Sequence, residues 1–187
     1  MTALLTPYVF DTGPLSHFAQ AGWLGLLQHV VGEAEAWLPA SVRQEVTEGV
    51  LRHAHLRSVL EADWLLHRTA TSAVELAAFG RYAERMLGDD QRTNLGECEV
   101  LALAEAHRGV AVVDDGVART AADERHVTVV TSVGMLCELV RSGHVSLALA
   151  SSIADSLLRT EYRLPFDEGG FRQFVMENDY LPYEAAG

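Results

Sequence analysis

Apolar residues along the chain follow two spacings. Four short runs, Tyr8–Phe10, Ala36–Leu38, Val110–Val113 and Val127–Val130, are bounded by polar or turn residues, and three of them contain valine. Runs of this kind are too short for a buried helix and predict strands. Between them apolar positions recur at helical spacing over Pro14–Ala21, Ser41–Leu51, much of Ala73–Leu87, Glu97–Ala106, Val117–Glu124 and Val133–Arg141. Strands separated by helices imply right-handed crossovers and a mostly parallel central sheet covered on both faces, an α/β three-layer sandwich. After Gly143 the pattern is helical only: Val145–Leu158 is apolar on one side, and Phe171, Phe174 and Val175 mark a short last helix beyond Pro165. The expected organisation is a core over residues 1–145 with a helical extension, 146–187, packed on it. Gly88–Thr93 (GDDQRT) reads as a polar loop.

Composition narrows the class. A chain of 187 residues, 49% hydrophobic, is long enough for one domain with a substantial core. No window reaches the roughly 18 uninterrupted apolar residues that a membrane span requires. The opening MTALLTPYVFDTG has neither the basic nor the long apolar region of a signal peptide. Two cysteines, Cys98 and Cys137, make neither a disulfide framework nor a zinc site by themselves, so a reduced, cytoplasmic protein is expected. The net charge is −12, and all the bases are arginine. That charge disfavours a protein that coats nucleic acid. It leaves open an enzyme whose clustered carboxylates bring metal to a single phosphodiester.

The acids fall at telling places. In open parallel sheets the site lies beyond the carboxyl ends of the strands, where strand order reverses. Asp11 directly follows the first strand, and Asp114 and Asp115 follow the Val110–Val113 strand, so both groups share one sheet edge. Helix capping is the plain alternative for Asp11, given Pro14, and for one of the adjacent pair. The second of that pair then needs another reason, because neighbouring carboxylates repel unless a cation separates them. Glu97 opens a helix that is apolar almost all round (CEVLALAEA), with Asn94 placed for an Asn-x-x-Glu capping arrangement. Burial of that helix directs a first-turn acid along the sheet edge, and Glu99, about 200° further round, faces elsewhere. Glu45 borders the inner stripe made by Val42, Val46 and Val50, beyond the reach of any cap. A carboxylate so placed needs an arginine, a donor or a metal, unless it bends out to solvent.

Asp11, Glu45, Glu97 and Asp114 or Asp115 would form an oxygen-only ligand set, which selects Mg²⁺ or Mn²⁺ over zinc. Two such ions about 4 Å apart can activate water and stabilise the leaving oxygen of a phosphodiester. No Gly-rich phosphate loop with a following Lys is present.

The stretches VFDTGPLSHFAQAGWLGLL, WLPASVRQEV, LGECEVLALAEA, VAVVDDGVARTAA and VTVVTSVGML resemble, in order and spacing over roughly residues 6 to 145, the PIN domain family. The form resembled is that with a Gly-Glu-x-Glu third motif and an Asp-Asp fourth, as in the longer prokaryotic relatives of ribonuclease toxins. The resemblance implies a metal-dependent endoribonuclease acting on single-stranded RNA. It also implies the toxin of a type II pair, held by a small antitoxin protein, and a homodimer. It carries the catalytic and metal-binding roles to Asp11, Glu45, Glu97 and Asp114 or Asp115. Thr12, Thr131 or Ser132 would supply the hydroxyl often found near such sites, and Arg119 would meet a phosphate; a plain helix-cap role is the favoured account of each hydroxyl, and an ion pair with a neighbouring acid accounts for Arg119 equally well.

Other classes fit less well. A haloacid-dehalogenase-type phosphatase needs a second Asp where Gly13 stands, and a phosphoacceptor receiver domain needs a Lys. A PIN-fold module without catalysis, its acidic surface binding a basic partner protein, is the alternative. His53 and His55 alternate within a helical stretch, so they face different sides and make a poor metal pair, while Trp23, Trp37 and Trp64 read as core anchors.

Overall fold

The computed structural model describes residues 6–87 and 94–182. The Gly88–Thr93 loop lies outside them. Among the described residues five strands, β1 (Tyr8–Phe10), β2 (Ala36–Pro39), β3 (Leu65–Arg68), β4 (Val110–Val112) and β5 (Thr128–Val130), form one parallel sheet in the order β3-β2-β1-β4-β5. The chain builds outward from β1 to β3 and then returns to the other side of β1. Strand order therefore reverses between β1 and β4, where Tyr8 lies opposite Val110 and Phe10 opposite Val112.

Helices cover the sheet. α1 (Thr12–Gln20), α2 (Leu24–Val31), α8 (Ser132–Arg141), α9 (Leu147–Leu158) and α10 (Phe171–Glu177) form one packed group. α3 (Ala40–Gly49), α4 (Arg57–Leu60), α5 (Ala73–Met86), α6 (Leu95–His107) and α7 (Gly116–Asp123) form the other, with α1 also touching α3 and α4. The helix apolar on all sides is α6: it packs on β1, β2 and β4 and against α3, α5 and α7, with Cys98 and Val100 to Ala104 buried. A helix apolar all round has to be enclosed in this way. At its end Arg108 turns the chain at φ 52, and a Cβ on Gly109 would stand 2.8 Å from the Pro7 carbonyl oxygen. Glycine there lets β4 start beside β1.

The fifth strand, β3, escapes the apolar-run criterion. It is a sheet edge: Leu65 is buried, but Leu66 and His67 are exposed, so WLLHR shows no continuous buried run. α2 likewise goes unread from sequence, because Trp23 offers no side-chain cap and Gly25 interrupts it. The His53–His55 segment leads into a single 3-10 turn, Ala54–Leu56, rather than continuing a helix. Trp37 is buried, while Trp23 and Trp64 are half-buried against the core.

One buried acid outside the sheet edge is fully served by donors. Glu75 closes the Ser72 capping box at the start of α5, accepts from the amides of Thr71 and Ser72, and meets His107 Nε2 at 2.6 Å. Burial pushes its carboxyl up, but these donors outweigh burial and hold it at about 2, below the usual 4.5. A depressed carboxyl contributes stability that is complete above the unfolded value and lost as pH falls through 4.5 towards 2. Glu75→Gln should therefore lower the melting temperature at pH 7 by roughly 5 °C. It should also flatten the acid limb between pH 4.5 and 2, as followed by circular dichroism.

Candidate metal centre

Asp11 is the first residue past β1, and its amide donates to the Val112 carbonyl at the end of β4 at 3.1 Å. This fixes it at the strand-order reversal. Its side chain caps α1 by accepting from the Gly13 amide at 3.3 Å, and the residue is only 7% exposed. The capping role is thus real, yet one long bond does not settle a buried charge. Burial first, and then the nearby Glu97 and Glu45 carboxylates, push its carboxyl up to about 8, against the pull of the Thr12 and Gly13 amides. Glu97 is also raised, by burial and by Glu45 and Asp115. Four carboxylates, Asp11, Glu45, Glu97 and Asp115, thus repel one another at one end of the sheet. Among the described residues none of them forms an ion pair.

Local sequence explains how they come together. Glu45 sits on the middle turn of α3 and is exposed rather than turned inward, but Thr12 Oγ1 donates to its Oε2 at 2.6 Å. The neighbouring α6 can approach because residue 96 lacks a side chain: a Cβ there would lie 2.8 Å from Glu45 Oε1. Glu97, in the first turn of α6, is half-buried. The expected Asn94 cap does not form. Asn94 is left-handed (φ 68) and its side chain donates to the Met86 carbonyl instead, so Glu97 belongs to no capping pair with Asn94. Glu99 faces the other way, buried, and accepts from the Ser41 amide and hydroxyl and from the Ala70 amide.

The adjacent pair divides. Asp115 caps α7, its Oδ1 accepting from the Val117 and Ala118 amides at 2.8 and 2.9 Å, and its charge bears on Glu97. Asp114 turns away towards β5: its Oδ1 accepts from the Ser132 amide, and its Oδ2 from the hydroxyls of Ser132 and Tyr162.

A PIN domain family model matches residues 7–168. This chain belongs to the PIN domain family. PIN domains are generally nucleases that use divalent metals. No curated protein matches the chain. No helix among the described residues of this PIN domain is long and apolar enough to cross a membrane.

The fit to a divalent cation is good in chemistry and incomplete in position. Hard oxygen donors with an unbalanced negative charge are what Mg²⁺ or Mn²⁺ binds. Yet among the described residues no three His, Cys, Asp or Glu side chains stand as a group that could hold an ion. His53 and His55 lie with ring centres 5.7 Å apart, and His55 Nε2 meets Ser16 Oγ. Thr131 caps α8, and Ser132 serves Asp114; Arg119 is exposed with no partner among the described residues.

Tyr162, between α9 and α10, escapes sequence reading altogether. Its ring stacks on His17 at 3.9 Å, its hydroxyl reaches Asp114 and Ser132, and a Cβ on Gly13 would lie 3.7 Å from that hydroxyl. No spacing in the sequence ties a tyrosine in the tail to an acid 48 positions earlier.

Two outcomes follow for this PIN domain. A raised carboxyl keeps its proton in the folded state, so stability is greatest below the unfolded value of 3.8 and falls as pH rises towards about 8. Asp11→Asn, which retains capping ability, should melt roughly 3 °C above the unsubstituted chain at pH 8 without metal. The same variant should lose any melting increment that millimolar Mn²⁺ gives the unsubstituted chain. Gly96→Ala should change the metal-free melting temperature little, because the atom it meets ends a flexible side chain and alanine favours helix by about 1 kcal/mol. Were Glu45 a ligand, its displacement would weaken Mn²⁺ binding about tenfold or more, as calorimetric titration would read.

Proposed function

We propose that this PIN domain is a Mg²⁺- or Mn²⁺-dependent endoribonuclease that hydrolyses single-stranded RNA in the cytoplasm. The observation that carries the reading is Asp11: buried at the strand-order reversal, raised to about 8, and set among Glu45, Glu97 and Asp115 without a cation from the protein. A buried carboxyl is seldom set beside partly exposed carboxylates unless a ligand of opposite charge completes the group.

In this reading Asp11 is the central ligand, with Glu45, Glu97 and Asp115 completing the oxygen set. When bound, a divalent cation lowers the pKa of water to make a nucleophile and offsets charge on the phosphodiester. Asp11 holds its carboxyl proton below about pH 8 and releases it as cationic charge arrives, so metal affinity rises with pH up to that value. Thr12 orients Glu45 through its 2.6 Å hydrogen bond. Ser132 and Tyr162 fix Asp114, which thereby braces the edge rather than binding metal.

The family resemblance extends the proposal to the toxin of a type II pair, working as a homodimer with a small antitoxin protein. One observation favours a different reading, a metal-free module that binds a basic partner: no ligand group stands ready-made among the described residues. Metal-dependent cleavage separates the two. Asp11→Asn should reduce Mn²⁺-dependent cleavage of a single-stranded RNA by about 10²-fold or more while circular dichroism stays unchanged. Equal cleavage by the variant and the unsubstituted chain would reject the assignment.

A further inference from the structure

Beside the acids, on the β4–β5 side of the same sheet edge, lies a cavity of about 310 Å³ with Asp114 at its inner wall. Two arginines line it, Arg119 from α7 and Arg163 from the segment after α9. Both are exposed, and neither side chain has a hydrogen-bond or ion-pair partner among the described residues. In contrast, Arg81, Arg85, Arg125, Arg141 and Arg159 each pair with a glutamate. The lining also includes two aromatic residues, Phe174 and Tyr180, half-buried and with their ring centres 6.0 Å apart. Asp114 adds one negative charge to the lining, its oxygens engaged by the Ser132 amide and hydroxyl and the Tyr162 hydroxyl, and the two arginines outnumber it.

We infer that this cavity is a nucleotide subsite for single-stranded RNA: Arg119 and Arg163 hold a backbone phosphate, and Phe174 and Tyr180 offer ring surface to the attached base. The inference rests on the ribonuclease reading and supplies what the acids lack, positive charge to hold the strand next to them. In a chain of net charge −12, two arginines without an acidic partner lining one cavity, against the single Asp114, are a local reversal of sign. Arginine suits the task, since its planar fork matches phosphate oxygens. Base stacking on aromatic side chains is indifferent to sequence but requires a splayed, unpaired base, which selects single strands. The volume stands at the lower end of ligand-sized cavities, roughly 300–1,000 Å³, and suits one nucleotide unit rather than a duplex.

The test is binding of a fluorescent single-stranded RNA pentanucleotide to the full chain in EDTA, which keeps cleavage out of the measurement. Arg119→Ala and Arg163→Ala should each raise Kd about fivefold or more, because each removes a charge-assisted hydrogen bond to phosphate. The double variant should also reduce the slope of log K against log salt by about 1.4, two phosphate-directed charges on a single strand. Phe174→Leu, which keeps the apolar packing, should weaken binding about threefold or more. Uridine monophosphate should compete at lower concentration than inorganic phosphate. Unchanged Kd and salt slope in the double variant overturn the subsite, as does equal competition by phosphate, which would leave an anion site only. The two readings fail separately. Cleavage with arginine-independent binding removes the subsite alone, and arginine-dependent binding without metal-dependent cleavage removes the ribonuclease reading alone.

Discussion

A buried carboxyl group set beside three more exposed carboxylates, with no cation from the protein beside it, is the constraint around which this fold is arranged. Asp11 is inside because it is the first residue past the central strand, between the end of β4 and the start of α1. The enclosure that raises its carboxyl to about 8 comes from the same packing that makes the core. α6 is apolar all round and has to be covered, and covering it brings Glu97 to the sheet edge. The missing side chain at Gly96 lets α6 settle against Glu45. Stability and charge strain are thus consequences of one packing arrangement.

The contrast among the acids carries the functional argument better than their number does. Glu75 is buried and Glu105 half-buried, yet each is held at about 2: Glu75 by His107 and two backbone amides, Glu105 by Arg125, Tyr82 and Arg81. Glu99 joins α6 to the first turn of α3 and to the segment after β3 through three donors. Those acids are structural, and the surrounding protein satisfies them. Asp11 and Glu97 are shifted the opposite way. The net charge of −12 reveals nothing of this division, because it sums paired and unpaired acids alike.

The segment beyond α9 belongs to the same edge. Tyr162 ties Asp114 to His17 across the sheet end, Thr160 Oγ1 meets His17 Nδ1 at 2.7 Å, and Arg163 lies at the mouth of the neighbouring cavity. Packing of α9 on α8 and α1 puts these residues there. The family match likewise runs on to residue 168.

Amino-acid order by itself determined the alternation of strands and helices, the parallel sheet, and the sharing of one edge by Asp11 and the Asp114–Asp115 pair. These follow from local periodicity and from the rule that successive parallel strands carry their carboxyl ends to the same side. It did not determine β3, whose edge position leaves Leu66 and His67 in water and erases the buried-strand pattern. Nor did it decide between the two adjacent aspartates, since neighbours in sequence differ only in where a strand ends and a helix begins. Tertiary packing turned Asp114 to Ser132 and Tyr162 and left Asp115 towards Glu97. The Tyr162 hydrogen bond and the meeting of Arg119 with Arg163 were equally beyond reach, because hydrogen bonds and shared cavities between distant segments depend on how helices dock, and local spacing does not encode that.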